Sequence, residues 1–356
     1  MNLTLKKSDL FVILSKAASV TENKATMPIL ASVLLDAQGD TLTVSAYDLE
    51  VAYVGLVGAM VTKPGKMAVS AKALGDVVRS LPEEVVELRQ EKTKLVVTSG
   101  SAEFRLSTTN VEEYPALPEG VAGVGFSLDG IALAKVLGEV AYAQSHDETR
   151  YSLNGTLLEG LDGKLCATST DGHRLAHVEL PVEGVAFGGV IMSRKTSSLL
   201  RRVLVAGEVH VEVSENAVFL TQGNEVIVAR LIDGQFPDYR AITPEVTGLT
   251  PLDRKAVLST LGRMKLVAEA TTWAFGEGKL TVSAMDPDLG DVHETLTVDT
   301  EAKVKVGVNG QYVRETLSSW VDDYVLVQVI DDISPIYLRS SRTQTSWAVI
   351  MPMRVK

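Results

Sequence analysis

Apolar and polar positions along the chain follow one grammar three times. LTLKKSDLFVILSKAASVT from Leu3, FSLDGIALAKVLGEVAYAQ from Phe126 and LTPLDRKAVLSTLGRMKLVAE from Leu249 each read as a strand and then an amphipathic helix, spaced 123 residues apart. Each is followed by an alternating run around a central turn: LTVSAYDLEVAYVG from Leu42, LCATSTDGHRLAHVEL from Leu165 and LTVSAMDPDLGDVHETL from Leu280. The second half of every unit repeats the order. MAVSAKALGDVVRSL, GVIMSRKTSSLLRRVL and VKVGVNGQYVRETLSSW predict strand and helix, and KLVVTSGSAEFRLST, AVFLTQGNEVIVARLI and PIYLRSSRTQTSWAVIM predict paired strands.

The 356 residues therefore divide into three units of about 119, each a near-duplicate of two pieces of about 60. Turn-rich junctions, EEYPALPEGVAG and GQFPDYRAITPEVTGLTPL, with Tyr114-Pro115 and Phe236-Pro237 at equivalent closing positions, set the expected domains at 1–118, 119–246 and 247–356. Two helices and about eight strands per unit predict an α+β fold, with the helices side by side against antiparallel sheets. Three such units in line make an arc, and a symmetric pair of arcs closes into a ring with no unpaired end.

A hydrophobic fraction of 46% with 22% charged residues excludes a disordered or collagenous chain, and 5% aromatic residues point to cores of Val, Leu, Ala and Ile. No apolar run reaches the length of a membrane-spanning helix. Lys16 interrupts the apolar start and no small-residue cleavage site follows, so the first residues read as strand and helix rather than a secretory signal. A single cysteine, Cys166, excludes an intrachain disulfide framework and a thiolate metal cluster and suits a reducing, cytoplasmic setting.

Lys and Arg number 34 against 45 Asp and Glu, a net charge of −11, and the three expected domains carry −2, −7 and −2. An average surface of that kind argues against nucleic acid. Four of the six predicted helices are locally basic, however, while in the third Lys135 is set against Asp129 and Glu139 and in the sixth Arg314 against Glu315. Lys6, Lys7 and Lys16 accompany the first, Lys72 and Arg79 the second, Arg194, Lys195, Arg201 and Arg202 the fourth, and Arg254, Lys255, Arg263 and Lys265 the fifth. Lining the hole of a ring, such helices would bind phosphates without reading bases. On charge alone the same residues also read as ordinary solvated helix faces.

Signals for catalysis are missing. His173 stands near Asp171, but no nucleophile elbow accompanies them, and the histidines at 146, 173, 177, 210 and 293 give no metal spacing. GSAEFRLST lacks a phosphate-loop lysine and no G-x-G-x-x-G follows a strand, so no cofactor is expected. By itself His173 reads as a turn or packing residue.

TMPIL at Thr26–Leu30, RYSLNG at Arg150–Gly155, TDGHRLA at Thr170–Ala176, DGQFPDYR at Asp233–Arg240 and VIMPMRVK at Val349–Lys356, in this order across essentially the whole chain, closely resemble the bacterial DNA polymerase III beta subunit, or sliding-clamp, family. The resemblance implies the DNA clamp fold: a head-to-tail homodimeric ring of six similar subdomains around duplex DNA. Such a clamp has no catalytic centre and confers processivity on the replicative polymerase. It further implies a peptide-binding cleft formed by Leu153, Thr170, Gly172, His173, Arg174, Leu175, Pro237 and Ile242, completed by Asn309, Tyr312, Ile333, Val349, Met351, Pro352, Met353 and Arg354. Apolar side chains there would take short segments carrying Leu or Phe, Arg, Asn and His would orient the peptide backbone, and the methionines would adapt to several partners.

For DNA, the resemblance transfers Lys24, Arg150 and Tyr151, which join the helix candidates Lys72, Arg79, Arg194, Lys195, Arg201, Arg202, Arg254 and Lys255. Ring closure is expected through Phe104 and Leu106. The implied partners are a second copy, double-stranded DNA, the polymerase alpha subunit, the clamp-loader delta subunit, and other polymerases and repair proteins with Leu- or Phe-containing motifs, all in the cytoplasm at the nucleoid and none at a membrane. Ser152 stands where relatives often have an aromatic residue, Ala241 where they have arginine and Pro335 where they have serine, and Ser259–Phe275 departs from their pattern. These departures keep open an alternative, a divergent clamp-like scaffold with weakened ring closure or loading.

Overall fold

The structure, a computed structural model, describes residues 1–21, 27–118 and 123–354; Lys24 and Thr26 lie outside the described residues. Among those described, six α-helices form where the apolar spacing puts them: α1 (Lys7–Ala18), α2 (Ala71–Ser80), α3 (Gly130–Val140), α4 (Arg194–Val203), α5 (Arg254–Met264) and α6 (Gly310–Ser319). α1 buries Leu10, Ile13, Leu14 and Ala17, the i, i+3, i+4, i+7 stripe of one helix face.

Four of the helices start on a side-chain cap supplied by the last residue of the preceding strand. Ser70 Oγ accepts from Ala73 N at 3.3 Å, Ser193 Oγ from Thr196 N at 3.2 Å, Asp253 Oδ1 from Ala256 N at 2.7 Å and Asn309 Oδ1 from Gln311 N at 2.9 Å. Each satisfies an amide that the first turn leaves without a helical partner.

Each unit of the repeat exchanges its leading strands between halves. In the first, Asn2–Lys6 pairs with Val85–Glu91, while Gly65–Ser70 pairs with Ser32–Gln38. Val124–Asp129 pairs likewise with Glu208–Val213, and Phe187–Ser193 with Gly155–Leu161. In the third unit Thr250–Asp253 pairs with Tyr324–Gln328, and Val304–Asn309 with Ala270–Gly276. The pieces of about 60 residues seen in the sequence are thus not self-contained sheets, because each needs a strand from the other to complete its ladder.

The chain forms two compact units, Met1–Ile131 with Ser198–Leu231, and Ala132–Ser197 with Ile232–Lys356. In the first, α1 packs beside α2. There the last strand of the opening meander, Val51–Gly58, pairs antiparallel with Glu225–Ile232, Val51 opposite Ala229 and Gly55 opposite Glu225. In the second, α5 packs beside α6. The matching meander strand Arg174–Pro181 pairs with Ser346–Ile350, Arg174 opposite Ile350 and Val178 opposite Ser346.

The divergent segment 259–275 is absorbed without disturbing this plan. It completes α5 and the strand Ala270–Gly276, and it sends Trp273 into the core with Leu261, Leu280 and Val306, while Leu266 stays 77% exposed.

Candidate peptide-binding cleft

The turn inside each meander is built by an aspartate. Asp48 Oδ1 accepts from the N–H groups of Glu50 and Val51, Asp171 Oδ1 from His173 and Arg174, and Asp286 Oδ1 from Asp288 and Leu289, all at 2.7 to 3.1 Å. Asp171 is therefore a turn former and not the partner of a catalytic His173. In the second turn Gly172 adopts φ +88°, a left-handed conformation that a side chain would strain.

Strand Arg174–Pro181 leaves this turn and receives the chain's last strand on its open edge. Beyond that strand, Met351 N donates to the carbonyl of His173 at 2.8 Å and Met353 N to that of Gly307 at 2.9 Å. The sequence-distant pieces thus enclose a cavity of about 120 Å³ lined by Leu153, Thr170, Gly172, Arg174, Leu175, Pro237, Ile242, Val349 and Met351, with Asp238 and Tyr239. Ile242 and Met351 are half-open to solvent, at 43% and 38%, whereas Leu175 and Val349 form a closed floor. A shallow apolar groove with a few fixed polar groups suits an apolar side chain of a short segment.

The remaining expected residues stand around this cavity rather than in it. Asn309 caps α6, where it also accepts from Tyr312 N at 3.3 Å, and the Tyr312 ring lies 4.4 Å from the Arg174 guanidinium carbon. Pro352, Met353 and Arg354 continue past Met351, and Ile333 is 77% exposed on a turn held by Asp331. His173 offers its carbonyl to Met351 and keeps its own side chain exposed.

Tyr239 was not among the expected cleft residues. Asp238 caps the short helix Tyr239–Ile242, and this turn delivers the ring to the floor, where its hydroxyl donates to Glu159 Oε2 at 3.0 Å. Burial and the neighbouring Glu159 push the phenol well above its ordinary range. The aromatic residue in the turn-rich FPDYR junction was the available signal.

Tyr239 also borders a polar concavity of about 440 Å³, with Lys164, Cys166, His177, Glu179, Arg240 and Trp347 among its walls. Its two cations are each paired: Lys164 Nζ meets Glu179 at 2.6 Å and Arg240 meets Glu159 at 3.0 Å. His177, with Nε2 at 3.7 Å, and Lys164 hold the Glu179 carboxyl down at about 2 against burial. Burial, followed by Glu179 and Glu159, pushes the Cys166 thiol up to about 11, which removes its nucleophilic form at neutral pH. Among the described residues no group of three or more His, Cys, Asp and Glu is arranged to hold a metal ion, and no helix is long and apolar enough to cross a membrane.

The basic candidates separate by exposure. Lys72, Arg79, Arg201, Arg202 and Lys255 are exposed, Arg79 lying 3.7 Å from Asp76. Tyr151 is 60% exposed beside Arg150, whose Nη1 donates to the Asp171 carbonyl at 2.8 Å. Lys195 is half-buried, and Arg194 donates to the Ser145 carbonyl at 3.1 Å. Arg254 donates to the carbonyls of Asp322 at 2.6 Å and Leu317 at 2.9 Å, fastening the end of α6. These last two arginines are only partly exposed and spend donors on main-chain carbonyls, whereas Arg150 and Arg202, which also bond the carbonyls of Asp171 and Ser198, stay exposed.

Helices on antiparallel sheets in a three-fold repeat, strands joined edge to edge, and an apolar cleft beside the second turn define the class of DNA clamps. The profiles of the DNA polymerase III beta subunit match in order, the N-terminal domain over residues 1–118, the central domain over 127–238 and the C-terminal domain over 241–354. The beta sliding clamps of Pseudomonas putida and Caulobacter vibrioides are each 30% identical, over 367 and 372 residues, with both chains covered in full. A crystal structure of the Pseudomonas aeruginosa DNA polymerase III subunit beta superposes over the full length of both chains with a TM-score of 0.96 at 30% identity. The chain belongs to the DNA polymerase III beta subunit family, the bacterial beta sliding clamps. Its function is that of a DNA sliding clamp that confers processivity, and it is not an enzyme.

Proposed function

We propose that two copies of this chain close head to tail into a ring around duplex DNA, and that the cleft tethers partners by short segments bearing Leu or Phe. The observation that carries the ring is a rule of strand pairing. The meander strand of the first repeat, Val51–Gly58, pairs with the last strand of the second, and the meander strand of the second, Arg174–Pro181, pairs with the last strand of the third. By the same rule the third meander strand, Gly290–Thr297, seeks the last strand of a first repeat, Ala102–Thr109, on another copy.

Both strands are edges suited to that contact. Ala102–Thr109 pairs along one side with Lys94–Ser99 and meets Gly65–Ser70 at Thr108 and Thr109, which leaves 102–107 without a second strand among the described residues; there half-buried Phe104 and Leu106 alternate with exposed Glu103 and Arg105. Gly290–Thr297 pairs along one side with Lys279–Asp286, next to exposed Met285 and Leu289. Unpaired edges of this kind invite another strand, and an unlike pair that closes after two copies leaves no free end.

Within the ring, exposed Lys72, Arg79, Arg201, Arg202 and Lys255, with Arg150 and Tyr151, would meet phosphates. The cleft would serve the polymerase alpha subunit, the clamp-loader delta subunit, and other polymerases and repair proteins in turn, in the cytoplasm at the nucleoid. The departures over 259–275 support a second reading, a clamp-like scaffold with weakened closure. Sedimentation over a concentration series separates the two. The ring reading expects a dimer at micromolar concentration and a monomer for Leu106→Asp, whereas a wild-type monomer at that concentration favours the scaffold.

A further inference from the structure

Arg174 is the cation that lines the cavity, yet it is not available as a free charge. Its side chain is 9% exposed, its Nε donates to Asp171 Oδ2 at 3.0 Å, and its Nη1 donates to Glu315 Oε2. The guanidinium lies between two aromatic rings, 4.4 Å from the centre of Tyr312 and 5.3 Å from that of Tyr142. Glu315 is itself fixed: Gln311, one turn earlier on α6, donates Nε2 to Glu315 Oε1 at 2.6 Å, and Lys265 donates Nζ to Gln311 Oε1 at 3.2 Å. The relay runs from the end of α5 through α6 to the wall of the cavity.

Two carboxylates against one guanidinium leave this wall with a net negative charge, while the aliphatic stem of Arg174 and the apolar floor remain for contact. Lys265, the nearest further cation in the relay, is half-exposed and lies 4.0 Å from Glu269, so its charge is offset there. At this rim stand also Asp238, which lines the cavity, Arg150, whose Nη1 donates to the Asp171 carbonyl at 2.8 Å and whose charge is offset by Asp147 at 3.6 Å, and the exposed side chain of His173.

We propose that Glu315 is a specificity-determining residue of the cleft: held by Gln311, it neutralises Arg174 and sets the site to prefer uncharged Leu- and Phe-bearing segments over acidic ones. The proposal rests on the reading of the cavity as a peptide site. Glu315 touches no bound segment in this account; it acts through Arg174 and is a positioning residue. Replacing it with glutamine keeps the shape and one oxygen to accept from Arg174 while removing one negative charge and the acceptor that faces Gln311. An acidic segment then loses a repulsion that a neutral one never felt.

Fluorescence polarisation with two labelled peptides tests this on the full chain. They share length and Leu and Phe positions and differ only by Asp in place of Asn. The acidic-to-neutral affinity ratio is expected to rise about fivefold in Glu315→Gln at low salt, and this gain should shrink at high salt. Glu315→Asp should restore the wild-type ratio, and Gln311→Ala should move it part of the way. A general loss of packing would weaken both peptides alike and leave the ratio unchanged, and an unchanged ratio in Glu315→Gln overturns the proposal. Wild-type protein that binds neither peptide overturns the cleft reading itself, which is a separate failure.

Discussion

The main-chain N–H of Met351 donates to the carbonyl oxygen of His173 at 2.8 Å, so the residue after the chain's last strand is fixed to the turn of the second repeat. This bond joins positions that are 178 residues apart in sequence into one wall of the cleft. It also separates two properties of Met351, because the backbone holds the wall and the side chain supplies the surface.

Met351→Ala should therefore weaken a Leu- and Phe-bearing peptide about tenfold, the loss of roughly two buried methylene equivalents, while the melting temperature moves by no more than about 2 °C. Fluorescence polarisation and calorimetry on the same preparation check both halves. Unchanged peptide affinity would reject the cleft.

Arg201 and Arg202 are exposed at the end of α4. Converting both to glutamate should lower DNA retention most at low salt, and the slope of log affinity against log salt should flatten by about 2. Retention that matches wild type at every salt concentration would remove these residues from the DNA surface.

Glu179 supplies a pH test. Its carboxyl is held at about 2 by His177 and Lys164, below the ordinary 4.5. A depressed carboxylate adds stability above its unfolded value and loses it as pH falls through its folded one. The stability of wild type over Glu179→Gln should be constant above about pH 5, shrink between 4.5 and 2, and close near 2, as read from urea midpoints across that range. A gap that persists at pH 2 would mean that packing, not charge, separates the two proteins.

Much of the architecture was legible in the sequence because it rests on local periodicity. The apolar stripe of α1 and the strand-end caps Ser70, Ser193, Asp253 and Asn309 are all short-range signals. The exchange of leading strands was not legible, since alternation marks a strand without naming its neighbour. Residues such as Leu175, Val349 and Met351 were assigned to the cleft through family resemblance, and the cavity they line agrees with their adjacency. Tyr239 escaped because its part depends on a turn that carries a ring beneath distant strands. Arg194 and Arg254 show the limit of counting charge: the sequence gives their sign, but only the fold shows that they hold the carbonyls of Ser145, Asp322 and Leu317.

The central claim is topological, and retention on circular DNA tests it most directly. Protein loaded onto a nicked circle by a clamp loader is separated from free protein by gel filtration, before and after a single cut linearises the DNA. The account predicts that the clamp stays on the circle and runs off the linear form. Equal loss from both would contradict encirclement.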